Sequence, residues 1–70
     1  MTILEKVNFL NFWLRFHTDY RITIDLFDIY ACLVVRIYHK KEQVAINWGN
    51  TLEHRLDYAI AWTRRMDENR

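Results

Sequence analysis

The sequence predicts a single α+β domain with the element order helix, three-stranded antiparallel meander, helix (αβββα). Three observations predict it. Apolar residues recur with a helical period near both ends, β-branched runs fill the middle, and the gaps between those runs close antiparallel registers.

The first helix is predicted over about residues 3–17. Thr2-Ile3-Leu4-Glu5 has the capping-box form, a hydroxyl followed three residues later by a carboxylate. Ile3, Val7, Leu10 and Leu14, with Leu4 beside them, form one apolar stripe. Phe9, Phe12, Trp13 and Phe16 form a second, nearly opposite at about 100° per residue. Glu5, Asn8, Asn11 and Arg15 fill one gap between the stripes, and Lys6 and His17 the other. One sheet face cannot take both stripes, so one of them is expected to meet another subunit or a protein partner.

The strands are predicted over about 21–27, 32–39 and 44–48, with Ile22, Ile24 and Leu26 setting the period of two. Pairing Ile24 with Val35 leaves Asp28-Ile29-Tyr30-Ala31 as a four-residue loop. Pairing Ile37 with Ile46 leaves Lys40-Lys41-Glu42-Gln43 as another. Together they gather Ile22, Ile24, Leu26, Leu33, Val35, Ile37, Val44, Ile46 and Trp48 on one core face. The outer face then carries Thr23, Asp25, Phe27, Cys32, Val34, Arg36, Tyr38, Gln43, Ala45 and Asn47. Gly49-Asn50 ends the sheet, and Asn50 with Glu53 reads as a second cap. The last helix, about 51–67, offers Leu52, Leu56, Ala59, Thr63 and Met66 to the core, flanked by Ile60 and Trp62.

Composition narrows the function classes. Ten Lys plus Arg against nine Asp plus Glu leave a formal charge of +1, against strong phosphate binding. Chains of this size bury only about 60% of their unfolded surface, so a partner is expected to add stability. Cys32, the only cysteine, cannot form an internal disulfide and reads as a buried hydrophobe. No signal peptide or membrane span is legible, so cytoplasmic residence is expected.

No residue pattern names a reaction. His17, His39, His54 and Cys32 lack metal-ligand spacing, Asp25 and Asp28 read as a solvated strand face and a turn former, and one glycine cannot build a phosphate loop. No catalytic residue, cofactor or metal is expected. The element order is similar to that of the double-stranded RNA-binding domain, a likeness of topology. The lysines that open that family's second helix have no counterpart at Thr51–His54, and its Gly/Pro-rich loop is absent.

The surplus aromatic surface points to binding. Phe9, Phe12, Trp13 and Phe16 on the helix, and Phe27, Val34, Arg36 and Tyr38 on the outer sheet face, are the candidate interface. The expected function is a non-catalytic protein-interaction module, a homodimer acting as an inhibitor or adaptor on a larger protein, of the kind phages and other mobile elements encode. The alternative is a small dimeric DNA-binding transcriptional regulator using the outer sheet face through Arg21, Arg36, Lys40, Lys41, Gln43 and Asn47. A small enzyme ranks third.

Overall fold

Helix α1 spans Ile3–Phe16 and opens on the expected capping box. Thr2 Oγ1 accepts from the Glu5 amide at 3.1 Å, and Glu5 Oε1 accepts from the Thr2 amide at 2.9 Å. That backbone bond, and then the Thr2 hydroxyl, hold the Glu5 carboxyl below its ordinary range. The computed structural model describes residues 1–27 and 32–69. The expected Asp28–Ala31 loop, the turn former Asp28 and the last tail residue, Arg70, lie outside the described residues.

Strands β1 (Tyr20–Phe27), β2 (Cys32–His39) and β3 (Glu42–Gly49) form an antiparallel sheet in the order β1-β2-β3. The β1–β2 register is the predicted one: Ile22 faces Ile37, Ile24 faces Val35 and Leu26 faces Leu33. The β2–β3 register is not. His39 pairs with Glu42 across a two-residue turn, Lys40-Lys41, rather than with Val44 across a four-residue loop. Lys40 takes a left-handed φ of 60°, the positive value that two-residue hairpins need at their first central position. A bulge follows: Tyr38 pairs with Gln43 but Ile37 with Ala45, leaving Val44 as the extra residue. Ile46 and Trp48 therefore pair with Arg36 and Val34 instead of Ile37 and Val35. Because side chains alternate, this slip turns them away from the helices and brings Ala45, Asn47 and Gly49 inward.

Helix α2 (Leu52–Glu68) starts from Thr51, not Asn50: Thr51 is extended, and its Oγ1 accepts from the His54 amide at 3.3 Å. Both helices lie on one side of the sheet, around a core of Leu10, Val35, Ile37, Leu56, Ala59 and Ile60. Full burial of the Val, Leu and Ile side chains among them contributes about 1.5–3 kcal/mol each. Leu56, Ala59, Ile60 and Thr63 are buried as expected, whereas Leu52 is exposed and Met66 half-buried.

Neither predicted stripe of α1 is the buried one. The buried line runs Lys6, Leu10, Trp13 and then half-buried His17, taking one member from each stripe and both residues of a polar gap. Ile3 and Leu4 of the first stripe are exposed, as are Phe12 and Phe16 of the second. Lys6 can lie in the seam because α2 answers its charge: Nζ is 2.7 Å from Asp57 Oδ1 and 3.1 Å from Glu53 Oε2. Arg55 is the opposite case. It is buried against Gly49, where an added Cβ would overlap its guanidinium. Its Nε and Nη1 have no hydrogen-bond partner among the described residues.

Two outcomes follow from these buried cations. The hydrogen bond to Asp57 raises the Lys6 pKa against the opposing effect of burial. A raised value means the pairing supports the fold fully at neutral pH and is lost as pH climbs through the folded Lys6 value, above about 10.4. Thermal melts from about pH 9 to 12 should fall more steeply for the wild type than for Lys6→Met. Arg55→Met keeps the length and removes an unanswered buried charge. It should leave stability unchanged or raise it by about 1 kcal/mol in urea titration, whereas a loss of that size would reveal an acceptor for the guanidinium.

Candidate protein-docking face

Directly opposed residues in a sheet share a face, so the register defines the outer surface row by row. The rows are Arg21-Tyr38-Gln43, Thr23-Arg36-Ile46, Asp25-Val34-Trp48 and Phe27-Cys32. Both helices occupy the other side, and among the described residues no element covers this one.

The face has a closed apolar centre and an exposed aromatic rim. Phe27 on β1 and Trp48 on β3 lean across the central strand until their ring centroids are 5.5 Å apart. Beneath them Val34 is 0% exposed, while Trp48 itself remains 54% exposed. Ile46 and Phe27 are exposed on the same face. The charges are arranged around this centre. Arg36 Nη1 donates to Asp25 Oδ2 at 2.8 Å, and its guanidinium lies 5.8 Å from the Phe27 ring centre. The Arg21 guanidinium lies 4.6 Å from that of Tyr38. Such cation–π placements attract each guanidinium to its ring.

The sequence-predicted site residues separate into two groups on different layers. Phe27, Val34, Arg36 and Tyr38 converge on the outer face as expected, with Arg21 and Gln43 at its margin. Lys40 and Lys41 are exposed at the adjoining turn. Asn47, expected there as a nucleic-acid contact, faces the helices instead, because of the bulge. Alternation assigns Ile46 and Trp48 to the core, and Val44 at the bulge with them; the first two belong to this face and all three are exposed. A signal for them existed. Ala45, Asn47 and Gly49 are small residues at alternate positions, and small side chains admit the close approach of a helix.

The helix group is split. Trp13 is core: it is 6% exposed, its Nε1 donates to Asp67 Oδ2 at 3.1 Å, and its ring stacks on His17 at 3.8 Å. His17 Nδ1 donates to the Trp13 carbonyl at 2.7 Å. Tyr20 and Trp62 meet the Trp13 ring edge-on, and His39 stacks on Tyr20. Phe12 and Phe16 stay exposed with ring centres 5.0 Å apart, and Phe9 is half-buried under Arg64. With Trp13, His17 and Asp67 they line a groove of about 350 Å³.

Comparisons with protein-family models, curated proteins and solved structures find no match. Among the described residues no helix is long and apolar enough to cross a membrane.

The two classes of ring on α1 should respond differently to truncation. Trp13→Ala removes the centre of a packed cluster and should cost about 3–5 kcal/mol in urea unfolding. Phe12→Ala should stay within about 0.5 kcal/mol. Equal losses would show that both rings are packed.

Proposed function

We propose that this chain is a non-catalytic protein-interaction module, an inhibitor or adaptor that lays the outer face of its sheet against a larger protein. The observation that carries this reading is Trp48, more than half exposed over a fully buried Val34 and flanked by Phe27, Ile46 and Arg36. Interface hot spots have this character: a large aromatic and an arginine around a desolvated centre. An open sheet face is ordinarily polar, and this one sets Phe27, Val34, Ile46 and Trp48 among its polar residues.

The same face supports nucleic-acid readout less well. Strand-based readers of single strands stack bases on free ring faces. Here Arg21 lies over Tyr38 and Arg36 over Phe27, while Asp25 neutralises Arg36. The exposed aliphatic Ile46 suits protein side chains better than phosphates.

The test is affinity capture with the tagged chain, followed by quantitative binding to whatever protein is recovered in stoichiometric amount. Trp48→Ala, verified as folded by circular dichroism, should weaken that binding by about 2–4 kcal/mol. Lys40→Gln with Lys41→Gln should change chiefly its salt dependence. Sub-micromolar binding of a DNA duplex at physiological salt, abolished in the lysine double variant, would overturn the proposal in favour of a DNA-binding regulator.

A further inference from the structure

The two edges of the sheet differ. The β3 edge is broken by the Val44 bulge, a feature that twists an edge away from new partners. The β1 edge has no such protection. It is eight residues long, pairs with β2 in unbroken register, and contains no proline or lysine. Ile22 and Ile24 on its helix side line an open cleft of about 150 Å³ against Val7 and Leu14 of α1. Leu26, farther along the same strand, is 65% exposed.

The residues of β1 are arranged symmetrically about Thr23. Antiparallel pairing of two β1 strands centred there sets Arg21 opposite Asp25 of the second copy, and Asp25 opposite its Arg21. On the other face it sets Ile22 opposite Ile24, twice, and Tyr20 opposite Leu26. Thr23 meets its own counterpart on the axis. Opposite charges, β-branched pairs and Thr–Thr pairs are the cross-strand combinations that stabilise sheets. Asp25 is free to serve two arginines, because Arg36 bonds only its Oδ2. We infer that two copies of this chain join edge to edge through β1, forming a two-fold six-stranded sheet with all four helices on one side.

Antiparallel edge pairing keeps equivalent faces on the same side, so the two outer faces become continuous. Three strands of eight residues give a footprint of about 370 Å², and six give about 740 Å². Standard interfaces use about 800 Å² per partner. This use of the widened face rests on the function proposed above; the dimer rests on the edge alone.

Sedimentation equilibrium of the full chain at high micromolar concentration tests the dimer. The wild type should run at twice 8.7 kDa. Arg21→Asp places carboxylates opposite one another and Asp25→Arg places guanidiniums opposite one another, so each variant alone should lose self-association by about tenfold or more. Mixed in equal amounts they become complementary at both positions, and the double mass should return. Thr23→Lys, which opposes two ammoniums on the axis, should also give monomers. All variants are first matched to the wild-type circular dichroism spectrum. Trp48→Ala, two strands away, should remain dimeric, so loss of partner binding there is separable from loss of the dimer. A monomeric wild type, charge variants that still dimerise, or a mixture that stays monomeric would overturn the inference. Protection of β1 amides only by a strand from a different protein would do the same.

Discussion

The turn at Lys40-Lys41 and the bulge at Val44 control which side of β3 meets the helices. Backbone geometry enforces this. A two-residue hairpin fixes the pairing next to it, and one extra residue in the strand reverses the alternation from there on. With φ of 60°, Lys40 adopts a conformation that L side chains rarely take, at an expense of roughly 1–2 kcal/mol. The return is a β3 that turns Ala45, Asn47 and Gly49 toward α2 and its larger residues outward. Without the bulge, Trp48 would lie beneath a helix, and the outer face would lose the ring that meets Phe27.

On the other side, polar groups organise the packing of a small core. The seam between α1 and α2 has an ion pair at one end and an aromatic cluster at the other. Lys6 meets Asp57 and Glu53 near the start of α1, and Trp13 meets Asp67 near its end. Leucines and isoleucines alone would allow the two helices to slide or rotate. Directional partners at both ends fix their register, which in turn places the cluster that reaches Tyr20 and His39 on the sheet.

The fold class, the element order and the β1–β2 register were legible in the sequence because apolar period and capping residues agreed there. Thr2 and Glu5 marked a helix start, and Ile22, Ile24, Val35 and Ile37 did belong to one covered face. Two features differ from the sequence reading for one reason: residue polarity is a poor guide to burial at these positions. Val44, Ile46 and Trp48 alternate as a core strand should, yet face outward because a bulge is invisible to periodicity. Lys6 and His17 sit in a polar gap of the sequence yet lie in the seam: Asp57, which answers Lys6, is about fifty residues away, and His17 stacks on Trp13 and donates to its carbonyl. The β1 and β2 members of the candidate site follow that pairing, its α1 members divide between core and surface, and the β3 residues of the docking face are missed with the β2–β3 register.

The three tryptophans occupy three different environments. Trp13 is enclosed, Trp62 is half-covered within the same cluster, and Trp48 stands in solvent on the opposite layer. Indole emission depends on the polarity around the ring and on access by small quenchers. The chain therefore carries its own optical reporter: light from Trp48 is the component open to aqueous quenchers, while Trp13 is shielded as long as the helices remain docked. Occupation of the sheet face and unfolding of the domain would move the spectrum in opposite directions, the first toward the blue and the second toward the red, with no label attached.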